Sequence, residues 1–209
     1  QKFIAVQKDY AKSFCSSTMI GIEANSLHYK FICRVIQEMY EEAFAQKRLK
    51  KQPSLKEFYR RLGDLVEAQT GEDKQITKEV YNSLSEYVDG SYDMFAFLSN
   101  ISISRRLVAF GMKNVPENLW EPVMLTIMHY RDVQVDYNQE NHKAIRLIVD
   151  EAQVVCKNKM SADRLLHAII TFRKYGGIVT MALQNLTRIA ENPDLRDMFS
   201  NCEYKCFLN

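Results

Sequence analysis

Two short aliphatic runs that end abruptly in polar residues constrain this chain most. Ile145-Arg146-Leu147-Ile148-Val149 runs into Asp150-Glu151, and Ile178-Val179-Thr180-Met181-Ala182-Leu183 runs into Gln184-Asn185. Runs this short, bounded by polar residues, suit buried strands better than helices. Between them, Leu165, Leu166, Ile169, Ile170 and Phe172 mark the apolar side of a helix from about Ser161 to Tyr175, broken by Gly176-Gly177. Two further runs extend the pattern: Arg106-Leu107-Val108-Ala109-Phe110-Gly111-Met112 before it and Tyr204-Lys205-Cys206-Phe207-Leu208 at its end. After Pro116 a helix carries Leu119, Val123, Ile127 and Tyr130 inward. Strand and helix alternate throughout, so residues 101–209 are expected to form an α/β unit whose parallel sheet is covered on both faces.

Residues 1–100 read instead as an all-helical subdomain. From Ser26, an expected N-cap, Ile32, Val35, Ile36, Met39, Tyr40, Ala43 and Phe44 form a stripe at helical spacing. It ends in Lys47-Arg48-Leu49-Lys50-Lys51, where cations complement the helix dipole or contact phosphate. After Pro53, Ser54 and Glu57 make a capping box for a helix that buries Leu55, Phe58, Tyr59, Leu62, Leu65 and Val66. Gly71 and its charged neighbours mark a loop, and a third helix spans about Ile76 to Tyr87 before Asp89-Gly90-Ser91.

Composition excludes more than it selects. Only seven of 209 residues are glycine, roughly half the usual share, and no G-x4-G-K-[ST] phosphate loop is present. Lys and Arg total 28 against 26 for Asp and Glu, a net of +2 that gives no support for nucleic-acid binding by bulk charge. Five scattered cysteines without a C-x2-C pair suggest neither a disulfide framework nor zinc, and fit a reducing, cytoplasmic compartment. Cys202 and Cys206 fall on an expected strand, and the four histidines show no metal-ligand spacing. No apolar stretch approaches the ~20 residues that span a bilayer. The chain opens on Gln1 rather than Met and is expected to be a piece of something longer.

In open parallel sheets ligands collect beyond the carboxyl ends of the strands. There Asp150 could hold hydrated Mg2+ and Glu151 could orient or deprotonate an attacking water, the Walker B arrangement; equally, either acid could cap the helix that follows. Gln184 could hydrogen-bond a γ-phosphate or lytic water, or form an ordinary turn with Asn185. Arg173-Lys174 could complement a helix dipole or reach the nucleotide of an adjacent subunit.

Taken in order, Leu147-Ile148-Val149-Asp150-Glu151-Ala152-Gln153, Phe172-Arg173-Lys174-Tyr175-Gly176-Gly177, Leu183-Gln184-Asn185, and Phe199-Ser200-Asn201-Cys202-Glu203-Tyr204 with Leu208-Asn209 resemble the conjugative transfer ATPases of type IV secretion systems, the VirB-type, TraC-like class. In the helical half, Pro53-Ser54-Leu55-Lys56-Glu57-Phe58-Tyr59 and Tyr87-Val88-Asp89-Gly90-Ser91, with Phe95 and Asn100, resemble the helical subdomain that those ATPases carry. The resemblance runs from about Ala24 to the end. It implies a RecA-like P-loop NTPase half using ATP and Mg2+, in a homo-oligomer, hexameric or dimeric, at the inner face of the bacterial cell membrane. The resemblance further implies that it would associate there through other secretion-channel proteins and a coupling protein. Asp150 would then be the Mg2+-associated acid, Glu151 the catalytic glutamate and Gln184 the sensor glutamine, with Arg173 and Lys174 as subunit-interface contacts to nucleotide. Met181-Ala182-Leu183 stands where small residues and Ile are more usual in that class, and its Walker A loop is missing from these residues. Two other functions remain open: a non-enzymatic interaction or scaffold module of the same machinery, and a DNA-translocating motor like the coupling proteins, with direct DNA binding undecided.

Overall fold

A computed structural model describes residues 2–47, 52–97, 105–157 and 159–207; the side chains at 2, 160, 173, 186 and 188 lie outside that description. The chain divides into two units, residues 1–104 and 105–209.

The first unit is helical: α1 (Lys2–Thr18), α2 (Ser26–Ala45), α3 (Leu55–Ala68), α4 (Gly71–Val88) and a 3-10 turn at Asp93–Phe95. Asn25, not Ser26, caps α2: its side chain accepts from the backbone of Leu27 and His28, while the His28 ring accepts from the Asn25 N–H. The expected Ser54–Glu57 capping box is present at the start of α3. Helix α4 begins at Gly71, where a loop was expected; Gly71 takes a left-handed backbone (φ 65) and Glu72 and Asp73 complement the first turn. The stripe residues Ile32 and Val35 of α2, Leu62 of α3, and Val80 and Leu84 of α4 are fully buried. The rings of Tyr59 and Tyr81 stack at 4.3 Å across the α3–α4 hairpin. Of the basic run, Arg48 to Lys51 lie outside the described residues, as does Asn100.

Buried His28 on α2 meets Glu79 on α4, with Nε2 and Oε2 2.8 Å apart. That hydrogen bond, helped by Gln75, holds the Glu79 carboxyl below the usual range. A depressed folded-state pKa stabilises above the unfolded value, roughly 4.3, and that stability is lost as pH falls through the folded one. Glu79→Gln should therefore lower the melting temperature at neutral pH and lose that deficit in acid. A deficit independent of pH would show that the carboxylate charge is not what matters.

The second unit contains a 3-10 turn (Glu117–Leu119), α5 (Trp120–Glu140), β1 (Ile145–Val149), α6 (Ala152–Val155), α7 (Lys159–Phe172), a 3-10 turn (Arg173–Tyr175), β2 (Gly177–Met181), α8 (Leu186–Glu191) and α9 (Pro193–Ser200). Strands β1 and β2 pair in parallel with Ile145 opposite Gly177 and Val149 opposite Met181, joined by the crossover helix α7. Val149, Ala152, Cys156, Ala162, Leu165, Leu195 and Met198 form the main core. The other sheet face, with Ile148 and Ile178, is exposed.

Among the described residues the unit is thus mixed α/β and mostly helical, with a two-stranded parallel sheet in place of the expected four strands. Residues 106–112 are irregular, with Leu107 83% exposed and Phe110 held by an edge-to-face contact with Tyr130. Residues 204–207 are likewise irregular and exposed, so Cys202 and Cys206 do not lie on a strand; Leu208 and Asn209 fall outside the description. Apolar content favours a strand only where a neighbour accepts its backbone hydrogen bonds, and among the described residues neither run has one. Helix α5 also differs in phase from expectation. It buries Pro122, Met124, Leu125, Met128, Arg131, Gln134 and Val135, while Val123, Ile127 and Tyr130 are only half-buried. Apolar residues surround this helix, so spacing alone does not select the face. On α7, Leu165 is buried as expected but Ile170 is 51% exposed.

Gly176 (φ 67) and Gly177 make the turn into β2. A Cβ on Gly177 would come within 2.7 Å of the Phe172 ring and 3.2 Å of Ile145. Gly177→Ala should cost roughly 1–3 kcal/mol by overpacking, readable by denaturant melts. An unchanged midpoint would mean that Phe172 can swing away freely.

Candidate active site

The carboxyl ends of β1 and β2 are tied together beyond the strands themselves. The Ala182 N–H donates to the Val149 carbonyl at 2.9 Å, and the Ala152 N–H donates to the Ala182 carbonyl at 3.0 Å. Asp150 and Glu151 lie between those two bonds just past β1, and Gln184 lies two residues past Ala182, beyond β2. For the chain to turn from β1 into α6 within that clamp, Glu151 takes a left-handed backbone, φ 49 and ψ 47. Such a conformation in a residue with a Cβ is strained by roughly 1–3 kcal/mol.

The clamp makes the expected residues meet. Gln184 Nε2 donates to Glu151 Oε1 at 2.6 Å, and the Glu151 N–H donates to Asp150 Oδ1 at 2.9 Å. All three side chains are exposed, so the cluster faces solvent at the sheet's carboxyl edge. The capping alternative is not realised: Glu151 occupies the position before α6 but makes no side-chain cap hydrogen bond. The Gln-Asn pair divides its work, because Asn185 Oδ1 accepts from the Thr187 N–H at the start of α8 and leaves Gln184 to Glu151.

Arg173 and Lys174 do not join this cluster. They lie in the 3-10 turn before Gly177, at the amino end of β2. Four strand steps, roughly 13 Å, separate the two ends of the sheet. Lys174 is exposed, and the Arg173 side chain lies outside the description.

Arg131, which no sequence motif marks, is only 7% exposed inside the unit. Its guanidinium contacts Asp132 and the Arg164 carbonyl and lies over the Phe172 ring, joining α5 to α7. Its place in the row Met124, Met128, Arg131, Val135 was the available signal. Buried Cys15 and Cys156 are pushed up to about 12 by desolvation, so neither is a ready thiolate nucleophile. Lys159 is committed to Asp194 and Asp163.

Among the described residues no three His, Cys, Asp or Glu side chains gather as a metal site, and no helix is long and apolar enough to cross a membrane. A lone carboxylate still suits Mg2+, which commonly takes one or two carboxylates together with waters and substrate phosphates. Asp150 Oδ1 is engaged by the Glu151 N–H, so a metal-bound water would have to be held by its second oxygen.

No family model matches the sequence, and no curated protein matches it. Among solved structures, the chain is similar to VirB4 of Thermoanaerobacter pseudethanolicus, with a TM-score of 0.62 and 13% identity over 94% of this chain and 70% of that one. At that identity the likeness shows a shared fold and nothing finer.

Proposed function

We propose that this chain is the acid-bearing portion of an ATP-hydrolysing motor domain that energises a type IV secretion channel, with its phosphate loop elsewhere in the polypeptide. The observation that carries this reading is the convergence of Asp150, Glu151 and Gln184 at the carboxyl ends of adjacent parallel strands. The VirB4 likeness supports it. Asp150 would hold Mg2+ through a coordinated water, and bound Mg2+ would supply charge neutralisation on the phosphates. Glu151 would accept the proton of the attacking water as oxygen bonds to the γ-phosphorus and ADP departs. Arg173 and Lys174, at the far end of the sheet from this cluster, would serve a neighbouring subunit's nucleotide in a homo-oligomer, a hexamer or a dimer. The assembly would work at the inner face of the bacterial membrane with channel and coupling proteins. Direct DNA contact is not part of this reading, since a net charge of +2 does not favour it.

In the full-length protein, ATP hydrolysis should require Mg2+ and should fall with Asp150→Asn. The 209 residues alone contain no G-x4-G-K-[ST] loop to cradle phosphates and should show no tight ATP binding by calorimetry. Metal-independent turnover, or tight binding by the chain alone, would remove the assignment.

A second reading, a docking module of the same machinery, is favoured by a cavity of about 870 Å3 in the helical unit. It is lined by Tyr59, Tyr81, Val88, Ala96 and the exposed Phe97. A full-length sequence without any G-x4-G-K-[ST] motif would favour that reading over hydrolysis.

A further inference from the structure

We infer that Gln184 is a positioning residue for Glu151, acting on turnover through that carboxylate rather than through its own contact with phosphate. This rests on the reading of Glu151 as the base. The geometry is specific. Both residues emerge from backbone pinned by the Val149–Ala182 and Ala182–Ala152 hydrogen bonds, so the distance between their stems is set by the sheet rather than by side-chain flexibility. Across that gap the Gln184 amide already donates at 2.6 Å to Glu151 Oε1. A glutamate at an exposed strand tip has several rotatable bonds, and this hydrogen bond holds its carboxylate.

The strained backbone of Glu151 serves the same end. A left-handed residue at the strand end sends the chain into α6 at once, so that the Ala152 N–H returns to the Ala182 carbonyl. The amide of Gln184 carries two N–H groups and a carboxylate oxygen accepts more than one hydrogen bond. Gln184 can therefore hold Glu151 while the second carboxylate oxygen remains open to a water. Loss of the amide would leave the base present and charged but unaimed, and misplacement of a catalytic group by about 1 Å can cost on the order of a hundredfold.

Two measurements test this. In the 209-residue chain, nuclear magnetic resonance of side-chain amides should show the Gln184 NH2 displaced from the position of a solvated amide, returning there in Glu151→Ala. An amide signal insensitive to Glu151→Ala would overturn the contact without any appeal to activity. In the full-length protein, Gln184→Leu should lower kcat at least tenfold with KM for ATP little changed. Gln184→Asn, one methylene short, should behave likewise, and the Glu151→Gln, Gln184→Leu double variant should fall no lower than Glu151→Gln alone. A raised KM, or effects that multiply in the double variant, would assign Gln184 to phosphate and sink this inference while leaving Glu151 as base. Retained turnover in Glu151→Gln would instead sink the reading beneath it.

Discussion

Glu151→Gln in the full-length protein should reduce ATP turnover by roughly 10²–10⁴-fold, the usual contribution of a positioned general base, while the dissociation constant for ATP stays within about twofold. The substitution is nearly isosteric and preserves the local contact, because a glutamine carbonyl can still accept from Gln184 Nε2 across the present 2.6 Å. What would disappear is the charge proposed to accept the proton. The effect should thus fall on kcat and spare binding, which is the signature of an interaction used only in the transition state. A companion change separates strain from chemistry. Asn tolerates the left-handed conformation better than Glu, so Glu151→Asn should be as stable as the parent chain or more so, and equally inactive. Turnover of Glu151→Gln within tenfold of wild type would remove Glu151 from the mechanism, whatever the stability results.

How this site could be read in advance depended on the range of the interactions concerned. The runs at 145–149 and 178–183 and the stripe of α7 carry local periodicity, and each became the expected element because apolar spacing within ten residues was sufficient. The capping box at Ser54 is local in the same way. Residues 106–112 show the limit: seven residues of suitable composition lack a partner strand, and pairing is decided elsewhere in the fold. The buried face of helix α5 differs from the expected one because Val123, Met124, Leu125, Ile127 and Met128 leave no single apolar stripe. At the site itself the residue types were legible and the contact was not. That Gln184 reaches Glu151 depends on the register Val149 opposite Met181 and on a left-handed backbone at a non-glycine residue. Neither has a local sequence signature. The separation of Arg173 and Lys174 from the acids follows from the same register.

The second large effect concerns the packing beneath that cluster. Leu165→Ala should destabilise the α/β unit by roughly 2–5 kcal/mol, the range for buried leucines that leave a cavity. That is a substantial part of the ~5–15 kcal/mol available to a typical domain. Leu165 is fully buried in the core formed by Val149, Ala152, Cys156, Ala162, Leu195 and Met198. Two of those neighbours, Val149 and Ala152, flank Asp150 and Glu151 in sequence and carry the backbone hydrogen bonds to Ala182. The cavity would therefore open beneath the clamp that aims the carboxylates, and the Gln184 amide signal should broaden or shift even in the fraction that stays folded. Ile170→Ala provides the control on the same helix: Ile170 is 51% exposed, so its truncation should cost less than about 0.5 kcal/mol and leave that signal in place. Equal losses from the two substitutions, measured by denaturant unfolding of the 209-residue chain, would show that α7 does not bury the face assigned to it. A large loss from Leu165→Ala with an unchanged Gln184 signal would show that the strand tips hold their geometry without the core below them.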